Sequence, residues 1–289
     1  MCPLYWRQQN CKKTMGYLSP SEIACAIVES SKKKVKLPFL PMVILGFLAG
    51  VYIAFGAQLY TIVTHDLSKY LGCGFSKFLG GSVFSVGLML VVIAGAELFT
   101  GNCLILTGVL TRDVKTREML ISWLIVYFAN FVGSVFLAAM IYHSAQWKFN
   151  DMGVGAAMIS TALAKVNLTF PEAFYRAIAC NWLVCLAVVL GMAGKDTVSK
   201  IFGIYFPIMA FVASGFEHSV ANMCFIPAAL FVKGNVVLFN ADLARAKDIL
   251  TWGNFIIKNL IPVTLGNIVG GAIFVGTAYY FAYLKKYSA

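Results

Sequence analysis

Charge is scarce in this chain. Of its 289 residues, 12% are Asp, Glu, Lys or Arg and 60% are hydrophobic, with a mean hydropathy of +0.80. A soluble domain carries about twice that share of charge, so the composition points to an integral membrane protein. Catalytic signatures are missing too. No GxSxG, HExxH or P-loop stands in a supporting context. Glu217-His218-Ser219 has the residue types of a nucleophilic set, but adjacent helical residues point in different directions. No CxxC and no tight Cys/His group with zinc spacing occurs. The eight cysteines (Cys2, Cys11, Cys25, Cys73, Cys103, Cys180, Cys185, Cys224) are scattered and read as small apolar filler with free thiols. These gaps argue against an enzyme, a metal site and a cofactor. No cleavable signal peptide is expected, because the first apolar run starts near residue 37 and is too long for an h-region. The net charge of +11 could suit nucleic acid. The basic residues cluster at the ends of apolar spans, however, and leave no soluble basic face for a duplex. They fit orientation in a lipid bilayer instead.

The polar stretch Gly215-Phe216-Glu217-His218-Ser219-Val220-Ala221-Asn222 lies between apolar runs at 201–213 and 223–232. Neither run reaches the ~20 apolar residues that cross a hydrocarbon core, but together they do. The polar patch is therefore expected near mid-membrane, where backbone needs internal partners or a wet cavity. Ionisable groups at that depth mark function. Gly95-Ala96-Glu97-Leu98-Phe99-Thr100-Gly101-Asn102 interrupts the run 79–110 with the same pattern, G-x-E-x-x-x-x-N. Two broken helices at matching places in two halves are the strongest sequence pointer to a transport site.

In order, 1–36 is read as a cytoplasmic segment. It carries an amphipathic helix begun by Ser19-Pro20-Ser21-Glu22, a surface anchor in preference to a pore plug. Met15 is an alternative start. Spans are expected at 37–63, at 79–94 with 103–110, at 118–143, at 171–193, at the second broken pair, and at 254–284. Gly46 and Gly50 give span 1 a small-xxx-small face. The segments 64–78, 144–170 and 233–253 are read as connections, and 285–289 as a cytoplasmic tail. His65 and His143 are read as solvated and interfacial histidines. N-x-V-G recurs at Asn130 and Asn267, one in each half. Repeat one covers about 37–143 and repeat two about 171–284. Three spans per half make the repeats inverted. With both termini inside, the inner segments hold 14 Lys/Arg against 8 outside, and Arg176 lies within span 4. That excess puts the termini in the cytoplasm.

His218 is the one histidine expected at mid-membrane. Imidazole titrates near ~6.5 when unperturbed, so it can meet an anion as a neutral donor or a cation and pass a proton. Glu217 must be protonated, hydrogen-bonded, or paired with Lys165 or another cation. Glu97 and Asn102 repeat the Glu217 and Asn222 arrangement, and a purely structural tie is the favoured reading for Glu97. Thr100 offers a hydroxyl from the first break. Phe84, Leu88, Leu98, Phe99 and Phe211 surround the breaks as a hydrophobic constriction requires. The half-helix N-termini at the breaks present free N–H groups and positive dipole ends, which suit an anion.

These stretches resemble the formate/nitrite transporter family over about 37–284. The carriers are the two break motifs, Ala164-Lys165-Val166, Cys180-Asn181-Trp182-Leu183-Val184-Cys185-Leu186-Ala187, and Asn259-Leu260-Ile261-Pro262-Val263-Thr264-Leu265-Gly266-Asn267. The resemblance implies an aquaporin-like protomer of six transmembrane helices with helices 2 and 5 broken, assembled as a homopentamer with one pore per protomer. It implies transport of small monovalent weak-acid anions (hydrosulfide, formate, nitrite), together with protons, across the cytoplasmic membrane. General likeness leans toward the hydrosulfide branch. The family's central histidine falls on His218, its break threonine on Thr100, its vestibule lysine on Lys165, and the partners behind the histidine on Glu217 and Asn222. Asn181 joins the pore set. Constriction positions fall on Leu88, Leu98 and Phe211. A pore for neutral solutes such as water is the alternative, less suited to a cationic vestibule and a central histidine. An intramembrane enzyme is the remote third reading.

Overall fold

The computed structural model describes residues 16–236, 244 and 246–285. The alternative start at Met15 and most of the 285–289 tail lie outside them, as does part of the 233–253 connection. All named elements are helical: α1 Pro20–Val35, α2 Phe39–Thr64, α3 Ser68–Gly95, α4 Phe99–Leu110, α5 Thr116–His143, α6 Gly153–Val166, α7 Phe170–Ala193, α8 Thr197–Ala213, α9 Ser219–Val236 and α10 Trp252–Leu284. Six of them (α2, α3, α5, α7, α9, α10) are long and apolar enough to cross a membrane. The order of short helix, span, broken pair and span occurs twice, as α1–α5 and α6–α10. Each set crosses three times, so the second is inverted relative to the first.

Two connections and the N-terminal helix differ from expectation. Residues 68–78, read as part of a connection, are helical and form the start of α3. Gly72 takes φ 76° and kinks the helix without ending it. Residues 153–166, read as connection, form α6. Three consecutive left-handed residues, Asn150, Asp151 and Met152, lead into it. The amphipathic α1 is no free-standing anchor: Ile23, Ala24, Ile27 and Val28 are buried in the protein. Its start is a capping box in which the Ser19 N–H donates to Glu22 Oε2 at 2.7 Å. The Leu18 N–H donates to Ala193 O at 3.0 Å, which ties the α1 entrance to the end of α7.

Close packing sets the helix pairs, because lipid tails give apolar helices no reason to seek each other. At α2–α5 a Cβ on Gly133 would collide with Phe47 O, and at α7–α10 a Cβ on Gly270 would collide with Ile178 O. The same backbone contact is thus made once in each half. Among the cysteines, Cys73, Cys103, Cys180, Cys185 and Cys224 are free. Cys25 is disulfide-bonded, which corrects the reading of free thiols throughout.

Candidate functional site

Both breaks are built from the same parts. Gly95 (φ 88°) and Gly215 (φ 72°) turn the chain in the left-handed region, where a Cβ is strained. The Glu97 N–H then donates to Leu45 O at 3.2 Å, and the Glu217 N–H to Arg176 O at 3.4 Å. One asparagine pins each break. Asn130 Oδ1 accepts the Phe99 N–H at 2.9 Å while its Nδ2 donates to Glu97 O at 2.9 Å and Gly46 O at 2.7 Å. Asn267 Oδ1 accepts the Ser219 N–H at 2.8 Å while its Nδ2 donates to Glu217 O at 2.9 Å and Ala177 O at 2.8 Å. Both asparagines are fully buried. The N-x-V-G repeat therefore exists to satisfy irregular backbone where no water can. It also occupies the leading N–H of α4 and of α9, which the sequence reading had left free for an anion.

Each acidic residue carries a lysine and an amide. Lys34 Nζ lies 2.8 Å from Glu97 Oε2, which also accepts from Asn102 Nδ2 at 2.8 Å. Lys165 Nζ lies 2.8 Å from Glu217 Oε1, and Glu217 Oε2 accepts from Asn222 Nδ2 at 2.7 Å and Asn259 Nδ2 at 3.2 Å. A bare carboxylate at this depth costs several kcal/mol, and these partners compensate it. Lys34 comes from α1 and Lys165 from α6, so the two short helices play equivalent parts. Sequence reading missed Lys34 because it sits among Lys32, Lys33 and Lys36 in a run that looks solvated. It also quoted Asn259 only for the resemblance and gave it no role, whereas Asn259 holds Glu217, Asn222 and Lys165 O together. Eight residues before Asn130, where the second half has Asn259, the first half has Ser122, whose buried Oγ finds no partner among the described residues.

The breaks meet at one hydrogen bond. Thr100 Oγ1 lies 2.8 Å from His218 Nε2, and both side chains are buried. His218 Nδ1 faces the Ala221 N–H at 3.2 Å and accepts from it. A neutral imidazole accepting at Nδ1 carries its proton on Nε2, so Nε2 donates to the Thr100 oxygen. The Thr100 hydroxyl hydrogen is then left to offer to a third group. Thr100 itself is held from behind, as Asn181 Nδ2 donates to its carbonyl at 3.2 Å and to Asn267 O at 2.6 Å.

Two spaces approach this pair. A cavity of about 610 Å³ on the α1 side is lined by Lys34, Lys200, Glu97, Leu88, Leu98 and others. A pocket of about 80 Å³ on the α6 side is lined by Lys165, Glu217, His218, Phe84, Phe211 and Phe225 among others. Phe84 and Phe211 meet edge to face at 5.8 Å, and the Phe211 ring lies 5.9 Å from that of His218. Leu88 and Leu98 are nearly inaccessible at the floor of the larger cavity. Bulky apolar groups thus bracket a buried polar pair.

A family profile described as "Formate/nitrite transporter" matches residues 21–281. The chain belongs to the formate/nitrite transporter family. It is 44% identical over 286 residues to a "Probable formate transporter" of Methanothermobacter thermautotrophicus, covering 94% of this chain and 99% of that one. It is 35% identical over 273 residues to "Formate channel FocA" of Escherichia coli strain K12, covering 93% and 95%. Among solved structures it superposes on a "Pentameric formate channel with formate bound" at TM-score 0.77 and 36% identity, covering 85% and 98% of the two chains.

Within the formate/nitrite transporter frame, the structure brings together Thr100, His218, Lys165, Glu217 and Asn222, with Asn181 behind them. Phe84, Leu88, Leu98 and Phe211 border the two spaces. Phe99 does not: its ring packs on Tyr127 at 4.8 Å and Trp123 at 6.1 Å, and it lines neither space. His65 lies apart at the end of α2, where its Nε2 meets Asn150 Nδ2 at 3.0 Å. Among the described residues no cluster of His, Cys, Asp and Glu is arranged to hold a metal ion.

Proposed function

We propose that the chain forms a channel or transporter for small monovalent anions of weak acids, with formate the first candidate. It sits in the cytoplasmic membrane with both termini inside, as a homopentamer with one route in each protomer. The observation that carries this reading is the buried Thr100–His218 hydrogen bond between two apolar brackets, with a lysine-bearing space on either side. A pore for water has little use for Lys34 and Lys165. An anion gains from both, since each draws it in before the apolar brackets strip its water.

Formate leads hydrosulfide here, against the order the sequence resemblance suggested, because the relatives above are named for formate. In this reading the anion displaces the Thr100–His218 bond and accepts from both groups. A neutral imidazole gives a hydrogen bond at no charge cost. It lends a proton only after taking one at Nδ1, which requires the Ala221 N–H to leave. His218 therefore works first as a donor that replaces hydration. Glu217, Asn222 and Asn259 hold Lys165 at the outer pocket, and Glu97 with Asn102 does the same for Lys34 at the inner cavity.

The test is initial-rate uptake of formate, nitrite and hydrosulfide, side by side, into proteoliposomes from about pH 5 to 8. Formate flux well above that of empty liposomes is the expected result. Rapid osmotic water flow with no anion flux would overturn the reading in favour of a neutral-solute pore.

A further inference from the structure

The α1-side cavity holds a second lysine that nothing above uses. Lys200 stands in the first turn of α8 and lines the 610 Å³ space together with Lys34. The charge of Lys34 is matched by Glu97 at 2.8 Å. Lys200 has no carboxylate within 4.0 Å among the described residues. Its nearest acidic neighbour in the chain, Asp196, is committed elsewhere: Oδ1 accepts the Ser199 N–H at 2.9 Å and Oδ2 the Ser199 hydroxyl at 2.6 Å.

Helix stability does not account for the position either. A cation in the first turn faces the positive end of the helix dipole, which disfavours it. The charges lining this cavity are Lys34, Lys200 and Glu97, an excess of one positive charge. The charges lining the opposite pocket are Lys165 and Glu217, which balance. The wider space outside it is lined by Lys69 and Lys77 against Asp66 and Asp151, again balanced. Lys200 precedes Glu217 by the same interval that separates Gly80 from Glu97. Where the inner mouth has an ammonium, the repeat gives the outer mouth a glycine packed under the Tyr60 ring.

We infer that Lys200 is an anion-capture residue, which makes the route asymmetric and lets anions bind from the α1 face at lower concentration than from the other. This rests on the anion-channel reading. A low-dielectric cavity focuses an uncompensated charge toward its mouth and raises the local anion concentration there.

The experiment uses the full chain in right-side-out and inside-out membrane vesicles, with radiolabelled formate as the probe and initial rates measured across concentration. Lys200→Ala is expected to raise the half-saturating formate concentration about three- to tenfold for access at the α1 face. The opposite face should change less than about twofold, and the saturating rate should hold. Lys200→Arg should restore the parent value, and raised salt should erase the difference between parent and Lys200→Ala. A lysine that merely helps orient the chain in the membrane would move none of these. An unchanged half-saturation at the α1 face, or an equal shift at both faces, overturns the inference while the channel reading stands. A parent chain that moves no formate in either vesicle overturns that reading and the inference with it.

Discussion

At the first break, Gly95 turns the chain, Asn130 holds both sides of the turn, and Lys34 with Asn102 covers Glu97. At the second, Gly215, Asn267, Lys165 and Asn222 do the same for Glu217. Within that shared frame the residues around the glutamate diverge, and two of the differences decide the centre. Leu98 stands where the second break has His218, and Val220 stands where the first has Thr100. Each break thus contributes one polar and one apolar residue, and the two polar ones meet across the centre. The support behind them differs in a compensating way. Asn181 Nδ2 reaches Thr100 O at 3.2 Å, while Ser134 Oγ reaches Val220 O at 3.4 Å. The comparison teaches that duplication built the scaffold, and that chemistry was placed where the copies diverge.

The sharpest way to break that comparison is to make the copies alike. Thr100→Val with His218→Leu gives both breaks Leu and Val at these positions. Losing two donors to a dehydrated anion costs about 3 kcal/mol, or about a hundredfold in rate. Formate flux should fall to the level of empty proteoliposomes while the folded protein remains; parent-like flux would refute the central site.

The shared frame predicts equal effects. Asn130→Ala and Asn267→Ala each remove three buried hydrogen bonds at a break, and each should cost about 3 kcal/mol. Thermal unfolding in detergent reads this out. A protein that tolerates one of the two substitutions and unfolds with the other would show that the breaks are not equivalent in support.

Smaller effects sharpen the two faces. Lys165→Met leaves Glu217 with amides alone, and Lys34→Met does the same to Glu97. The side chains of the Lys165 pair are 15% and 5% exposed, against 25% and 10% for the Lys34 pair. The second-half substitution should therefore destabilise more, by about 3 kcal/mol against about half that. Each should also lower flux at low formate on its own side. Normal flux at low formate would remove the vestibule role.

The smallest effect concerns the α1 cap. Hydrogen bonds from the Ser19 hydroxyl and N–H hold the Glu22 carboxyl below its usual range, with Lys195 adding to them. A depressed folded value means that the contribution is complete above the unfolded pKa, near ~4.3. It is lost as pH falls through the folded value. Glu22→Gln should cost below about 1 kcal/mol at neutral pH and abolish that acid dependence, as proteolytic nicking near α1 would show.

Much of this was legible in the sequence. Paired G-x-E-x-x-x-x-N stretches between apolar half-spans located both breaks, and His218 and Thr100 stood out as polar groups at mid-membrane depth. The N-x-V-G repeat marked Asn130 and Asn267, although not their task of pinning the breaks. Lys34 was hidden because one lysine in a basic run looks like its neighbours until a helix face selects it. The first turns of α3 were hidden inside 64–78, which read as a connection, yet Gly72 only kinks the helix. Helix α6 was hidden by its small residues, Gly153, Gly155, Ala156 and Ala157, which declare no apolar stripe; among them Gly155 is packed against Val236. Phe99 was assigned to the constriction by proximity, whereas its direction on α4 takes it to Tyr127 and Trp123.

The measurement closest to the central claim compares formate uptake by the parent chain, His218→Gln and His218→Leu in proteoliposomes, from about pH 5 to 8. Glutamine keeps an N–H donor toward Thr100 but carries no titratable proton. The account predicts that His218→Gln retains flux within about tenfold of the parent and that His218→Leu loses it. Leucine performing like histidine, or glutamine failing as completely as leucine, would contradict a central histidine that acts as a hydrogen-bond donor.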